Sequence, residues 1–437
     1  MDNRYRKVVE DAKKLFVGAI LEQEPELEQK PLRLDERIRE LTRALGREVV
    51  GAVYEELSRR ATERAVERGL TVQRRPKIDL LTLFGVVTVP SPYLWNPCTH
   101  ESARPVKAEL GMEHRKRTPA LERALTDFGA EESFGQADRR LQEHYGFSIG
   151  RTTILRVVEG HARKMELQVA QRLKQATREF ERPPAQRPGV ARMLTELDGC
   201  EIRTGTLEPT RTDERSPVRE LPKRKRNEAW REVRVGLARV LDQIDRTYVA
   251  RMDSYPAVVG QLFGAACTRG LSSQTEIVGV ADGGQGLREE LEAQFPGLRF
   301  VLDRPHLKGH FYETAEAMGF KDTERESWVA KRMQQIDRGD VGDVLQELNS
   351  FKGRGKARVR QLWGYLTRFR DAVNYNAFRE QGIPLGSGEV ESAHRTVPQK
   401  RMKLPGTWWH PDTVNPMLAL RVVRANDWWD EYWQQAA

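Results

Sequence analysis

Cysteine is scarce in this 437-residue chain: three residues, Cys98, Cys200 and Cys267, far apart. That spacing excludes a disulfide framework and points to a reducing compartment. No apolar run approaches the ~20 residues that a membrane span needs. The first residues, MDNRYRKVVEDAKK, contain no apolar signal-peptide core. A soluble, cytoplasmic protein with no membrane partner is therefore expected. Internal repeats and long low-complexity tracts are also missing, which excludes a solenoid. Paired metal-binding cysteines are lacking too. NPCTHESARPVKAELGMEHRKRTP offers Cys98 and His100, too few for a zinc site, and reads as an irregular connector. Acidic charge is in the minority, with 73 Lys+Arg against 64 Asp+Glu and a net charge of +9. That excess suits a polyphosphate partner, and the length allows two to four domains.

What is present is a set of apolar runs that end in carboxylates. Residues 193–197 of ARMLTELDGCEI read as a strand aiming Asp198 outward, and TEIVGVADGG ends another strand on Asp282. GIPLGSGEVESAHR sets Glu391 in the first turns of a helix. Ser387 is its expected N-cap, and Gly386 and Gly388 let the backbone approach DNA or metal. Between the aspartates lie REVRVGLARVLD and TYVARM, both strand-like, and a helix from Pro256 to about Thr268. A helix over Gln285–Gln294 and the strand LRFVLD follow Asp282. The order β-β-β-α-β-α-β, then an insertion and a helix, is that of a ribonuclease H-like α/β fold. Two Asp and one Glu converging there match the chemistry of phosphodiester displacement. Two Mg²⁺ ~3.5–4 Å apart activate the attacking oxygen and stabilise the leaving one. Hard carboxylate oxygens suffice as ligands, and Mn²⁺ is expected to substitute.

From the N-terminus, residues 1–70 read as helical and charged. Ile38, Leu41, Leu45, Val49, Ala52, Val53 and Leu57 form one apolar stripe, either packed on its own domain or used for self-association. IDLLTLFGVVTVPSPYLW reads as a β-hairpin centred on Phe84-Gly85. Residues 119–165 hold two short amphipathic helices around Tyr145-Gly146-Phe147-Ser148, with Gly146 at positive φ and Ser148 as the second N-cap. That second helix opens with Arg151, Thr152, Thr153 and Arg156, while Ile154, Leu155, Val157 and Val158 supply a core side. The pattern fits either a DNA-reading helix-turn-helix or an ordinary helical hairpin. REFERPPAQRPG is a linker whose prolines block helix and central strand. EPTRTDERSPVRELPKRKRNEAW reads as a long loop ending in Lys223, Arg224, Lys225 and Arg226, either solvated or on phosphates. Beyond Glu391, Lys400, Arg401 and Lys403 are set to hold DNA phosphates. Trp408, Trp409, Trp428, Trp429 and Trp433 either stack on bases or close the core.

GIPLGSGEVESAHR, DGGQG, LDRPH and the Trp-rich end resemble DDE transposases of bacterial insertion sequences, most closely the ISKra group, from about Leu80 to the C-terminus. The wider set, with Mutator-like and hAT-like elements, carries a C/D-x-x-H motif soon after the second catalytic Asp. Asp303-Arg304-Pro305-His306 matches it. Such proteins also carry a helical insertion before the final Glu, and the interval from Asp282 to Glu391 leaves room for one. Its stripes would be Val341, Val344, Leu345, Leu348 and then Val359, Leu362, Leu366, Phe369, Val373. Glu391, rather than Glu389, sits in the matching V-E-S-A pattern. Relatives often have cysteine pairs after the hairpin, whereas this chain keeps only Cys98 there.

The resemblance implies a transposase that binds the terminal inverted repeats of its element, nicks DNA, and joins the 3′-OH ends to target DNA. It implies two Mg²⁺ per site on Asp198, Asp282 and Glu391, with His306 catalytic, DNA-positioning or structural. A homodimer or larger homo-oligomer on double-stranded DNA in the bacterial nucleoid is expected. The alternatives are a catalytically silent DNA-binding descendant and a structure-specific nuclease. The expected domains are 1–90, helical with a hairpin; 91–118, connector; 119–185, helix-turn-helix-like region and linker. A core over 186–306 follows, interrupted by a helical insertion over 307–384 and completed by 385–437.

Overall fold

The computed structural model describes residues 5–23, 31–181, 189–209 and 224–436. These divide into two compact units, Met1–Leu125 with Gly135–Gly150, and Thr126–Phe134 with Arg151–Ala437. The first opens with helices α1 (Arg6–Gln23) and α2 (Leu34–Glu67). It continues with strands β1 (Thr71–Arg74), β2 (Lys77–Thr82), β3 (Gly85–Pro90), β4 (Tyr93–Trp95) and β5 (Ser102–Ala103), then helix α3 (Pro105–Leu110). Val50 and Tyr54 of α2 pack against Leu80, Val87, Val89 and Met112. Elsewhere on α2, Ile38, Leu45, Val49 and Val53 are exposed.

Two local expectations shift in this unit. Thr82 pairs with Gly85, so Leu83 and Phe84 make the hairpin turn and Gly85 follows it at φ 106°. Tyr93–Trp95 leaves that hairpin for a separate sheet of order β1-β4-β5. The connector expected to be irregular therefore contributes a strand and a helix. Helices α4 (Pro119–Glu131) and α5 (Phe134–Tyr145) follow.

The second unit is built on helix α6 (Arg151–Phe180) and strands β6 (Arg192–Pro209), β7 (Arg224–Val240) and β8 (Arg246–Arg251). Helix α7 (Tyr255–Thr268), strand β9 (Glu276–Ala281), helix α8 (Leu287–Gln294) and strand β10 (Arg299–Leu302) complete the expected order. They form a mixed five-stranded sheet in the order β10-β9-β6-β7-β8. The β6, β7 and β8 pairings are antiparallel, whereas β9 joins β6 and β10 joins β9 in parallel. Helix α7 is apolar nearly all round, including Val258, Val259, Leu262 and Ala266, and is accordingly buried.

Two elements are longer than expected. The helix beginning at Arg151 is not short: it runs 30 residues because buried Ile154, Val158, Met165 and Leu173 extend one apolar stripe. It packs on α7 and on α16 (Pro411–Ala425). Strands β6 and β7 stay paired out to Pro209↔Arg224, so the described ends of the expected loop, Glu208–Pro209 and Arg224–Trp230, are strand. Residues 210–223, Lys223 among them, lie outside the described residues.

After β10 come α9 (Arg304–Met318), α10 (Asp322–Arg338), α11 (Val341–Ser350), α12 (Lys356–Arg368) and α13 (Tyr375–Glu380). The expected stripes supply much of their packing: Val344, Leu348, Leu362, Leu366 and Phe369 are buried. Helix α14 (Gly388–His394) carries Glu391 and runs through a π-turn, Arg395–Gln399, into α15 (Lys400–Met402). Pro398 lies in that turn, where it has no N–H to give to a helical carbonyl. Helix α17 (Trp429–Ala436) ends the fold. Among the described residues, no helix is long and apolar enough to cross a membrane.

Candidate active site

The last parallel pairs of the sheet are Leu197↔Ala281 and Leu302↔Ala281. The next residue of each strand is an aspartate: Asp198, Asp282 and Asp303. Three acids thus stand at one level where the parallel pairing ends, Asp282 and Asp303 just beyond β9 and β10 and Asp198 within β6, at the carboxyl end of the parallel strands where open α/β sheets bind ligands. Burial raises the Asp198 carboxyl above its ordinary range, and the charge of Asp282 adds to the rise. His394 and His306 pull it back down. His394 is buried, with Nδ1 3.7 Å from Asp198 Oδ2 and Nε2 3.3 Å from the Asp198 carbonyl. Asp282 is fixed locally: its Oδ1 accepts from Gly284 N–H at 2.9 Å, and its carbonyl accepts from the Tyr365 hydroxyl at 2.5 Å.

Asp303 does something different. It is 2% exposed, too enclosed to face a substrate. Its Oδ1 accepts from His306 N–H at 2.7 Å, capping α9, and its Oδ2 accepts from Ser387 N–H at 2.8 Å. The Ser387 hydroxyl also donates to Asp303 Oδ2. This corrects the expected N-cap: Ser387 stands at the cap position of α14, but its hydroxyl serves Asp303 and makes no cap bond. Gly386 lies close to Pro305, 3.3 Å from where its Cβ would be, whereas Gly388 faces open space. A second buried acid holds the same helix. Glu196 Oε2 accepts from Val390 N–H at 2.8 Å.

Helix α14 therefore hangs from two carboxylates, and Glu391 rides on it. Glu391 is exposed and sits three residues before His394, so the two are neighbours on one helical face. Glu389 is occupied elsewhere, 2.7 Å from Arg239 and 3.2 Å from Arg246. His306 is exposed, with its ring 5.3 Å from His310, which lies 4.7 Å from Tyr365. Among the described residues no group of three or more His, Cys, Asp or Glu is arranged to hold a metal ion.

The basic residues scatter. Arg401 is corrected outright: it is 2% exposed, donates to the Gly129 carbonyl at 2.8 Å, and lies against Phe134 and Trp409. Burial lowers its pKa to about 10, and no phosphate reaches it there. Lys400 pairs with Glu131 at 2.6 Å. Lys403 is exposed and acts on the thiol of Cys200, two residues beyond Asp198 on the same strand face. That thiol is nonetheless pushed up to about 11 by burial. Arg151, Thr152 and Arg156 are exposed at the start of α6 and Thr153 is half-buried. Gly146 takes φ 77° as expected, but Ser148 caps nothing; its hydroxyl donates to Asp138 at 2.7 Å. Lys225 and Arg226 are exposed on β7, where Arg226 pairs with Glu228 and covers Trp408 at 5.3 Å. Arg224 opens that strand. Trp409 and Trp433 are buried, and Trp428 and Trp429 lie under Arg172 and Arg424.

Sequence pattern alone does not single out Glu196, His394 or the clamping role of Asp303. A signal exists for Glu196, which shares the parity of Asp198 within an apolar strand and so shares its face. His394 has one as well, three residues from Glu391 on a helix.

No family model matches the chain, and no curated protein matches it. Among solved structures, the Drosophila P element transposase strand transfer complex matches with a TM-score of 0.25 and 10% identity, covering 76% of this chain and 83% of that chain. A likeness this distant decides neither fold nor activity.

Proposed function

We propose that this chain is a DDE-type transposase: a ribonuclease H-like core that nicks DNA and transfers the freed 3′-OH end to a target. The observation that carries the reading is the pair Asp198 and Asp282, which directly follow the last parallel pair of adjacent strands, with the charge of Asp282 acting on the Asp198 carboxyl. Asp198, Asp282 and Glu391 would hold Mg²⁺. The donor set fits, since all three are hard oxygen ligands. A carboxyl kept above its usual range by burial and a second negative charge is also one that a cation stabilises. A metal held there would supply activation of the attacking oxygen and charge stabilisation of the leaving one.

The chain's own contribution is placement. The strands fix two acids rigidly, and the Glu196 and Asp303 clamps hold the start of the helix that carries Glu391. Because Arg239 and Arg246 occupy Glu389, Glu391 is the carboxylate of that helix left to act. Lys403 supplies an exposed cation beside the Asp198 strand for a phosphate. Inverted-repeat DNA would be held through the exposed start of α6, and pairing of two element ends calls for at least two protomers.

The test is nicking and joining of supercoiled plasmid carrying the repeats that flank the coding region, with MgCl₂ or MnCl₂. Asp198→Asn, Asp282→Asn and Glu391→Gln should each lower both steps by at least about 100-fold, a loss of roughly 2.7 kcal/mol in transition-state stabilisation. DNA binding and the melting curve should hold, and Glu389→Gln should keep activity. Cleavage without joining would instead identify a nuclease, and binding without metal-dependent cleavage a silent DNA-binding protein. If Glu389→Gln abolishes nicking and Glu391→Gln does not, the triad is wrong.

A further inference from the structure

The first unit carries a groove of about 930 Å³ lined by β1 and β4 of its three-stranded sheet, by Ile78 of β2 and by the segments that join them. In β4 the central Leu94 is fully buried, so Tyr93 and Trp95 on either side of it share the opposite face and are half-exposed. Arg74 pairs in register with Tyr93, and Arg104 lies 5.8 Å over the Tyr93 ring. Gln73 and Ser91 add polar groups and Pro76 and Ile78 apolar ones, and no carboxylate lines the groove.

The charges here are unlike those around them. Nearby, Arg64 and Arg68 share Glu109, and Arg59 is paired with Glu56. Neither Arg74 nor Arg104 has a carboxylate partner among the described residues, and both are exposed. Two half-exposed aromatic rings, Tyr93 with Arg104 over it and Trp95 with the His100 ring 5.7 Å away, stand beside two uncompensated guanidinium groups and form a surface for a ligand that is flat, apolar on its faces and anionic along its edge. Successive ring positions on one strand face stand roughly 6.5 Å apart, which seats two unstacked bases. A duplex keeps its bases stacked and offers none, while an acidic peptide uses the cations but not the rings.

We propose that this face binds a short unpaired stretch of DNA, with two successive bases on Tyr93 and Trp95 and their phosphates on Arg74 and Arg104. It rests on the reading of the chain as a DNA-handling protein and adds a substrate feature, a melted or single-stranded segment. It requires no catalysis.

The experiment uses the full chain and three probes: fluorescein-labelled dT12, a duplex of the same length, and poly-aspartate as competitor. Arg74→Ala with Arg104→Ala should weaken dT12 binding at least about 10-fold and leave duplex binding unchanged. It should also reduce the slope of log K against log salt by about 1.4, at roughly 0.7 per single-strand phosphate neutralised. Trp95→Ala should lose affinity, while Trp95→Phe should keep affinity yet quench less intrinsic fluorescence. Thermal melts accompany each variant, and Trp95→Phe separates stacking from folding. Unchanged dT12 affinity and slope in a folded Arg74→Ala/Arg104→Ala protein overturns the proposal, as does equal loss for the duplex or full displacement of dT12 by poly-aspartate. Plasmid nicking by wild type and Asp198→Asn is read in parallel. Failure to nick with the dT12 effects intact sinks the transposase reading alone, and nicking without them sinks only this one.

Discussion

Glu196 has one oxygen on the Val390 N–H and the other buried without a partner. Burial pushes its carboxyl up to about 8, and the neighbouring charge of Glu389 adds to the rise. The folded state therefore keeps a proton that the unfolded chain releases above about 4.5. Stability from this group is complete below that pH, falls as pH climbs towards 8, and is level beyond. Glu196→Gln keeps the acceptor and removes the titration. Thermal melts between pH 5 and 9, without divalent cations, should show the variant gaining on wild type at alkaline pH. The gain should reach a few kcal/mol, at about 1.4 kcal/mol per pKa unit; parallel curves would refute this account. Arg401 and Lys403 make a second contrast at this scale, one buried against Phe134 and Trp409 and the other exposed. Arg401→Ala should cost about 3–5 kcal/mol by denaturant unfolding, the range for emptying a large core site. Lys403→Ala should cost almost nothing and weaken DNA binding instead. Equal costs would mean that burial does not separate their roles.

Among the elements, α14 depends most on partners elsewhere in the fold. Seven residues is less than two turns, too short to hold itself, and its start is fixed by Asp303 through the Ser387 N–H and hydroxyl. Ser387→Ala leaves the N–H bond and removes the hydroxyl from a buried carboxylate. It should cost about 1.5–3 kcal/mol and should reduce nicking beyond the loss of folded protein, because Glu391 lies four residues on. Nicking per folded molecule equal to wild type would make the clamp purely structural. The sequence pattern reveals each strand of the five-stranded sheet, but not where β6 and β7 stop, nor does it reveal β1 and β5. The apolar run marks the strand only over residues 193–197, and cross-strand pairing as far as Pro209↔Arg224 is what keeps CEIRTGTLEP extended.

Across the whole molecule, a net charge of +9 predicts DNA binding that weakens steeply with salt. Neutralising Lys223 to Arg226 should lower the slope of log K against log salt by about 0.9 for each duplex phosphate these side chains hold. Arg226 is already paired with Glu228, so Lys225 should account for more of the change than Arg226 does. An unchanged slope would leave the run merely solvated. Self-association is the other property at this scale. Ile38, Leu45, Val49 and Val53 lie exposed on α2. Leu45→Glu with Val49→Glu should lower the mass seen by light scattering on DNA ends without changing the melt of the second unit. An unaltered mass would leave those residues to solvent.

Local chemistry was enough to name the order of the core elements, because alternation and apolar runs reflect which faces are buried, and to single out Asp198, Asp282 and Glu391, although Asp198 lies within β6 and does not end it. It also marked the packed stripes of α11 and α12 and the turn at Gly146. Tertiary structure decided everything that depends on which distant residue arrives where. Arg401 reads like its basic neighbours Lys400 and Lys403, yet only folding sets it between Phe134 and Trp409. Ser387 looks like a helix cap until Asp303, 84 residues away, takes its hydroxyl. A carboxylate in a strand is ambiguous in sequence, and Glu196 became a clamp because a helix nearly two hundred residues later presents an N–H to it.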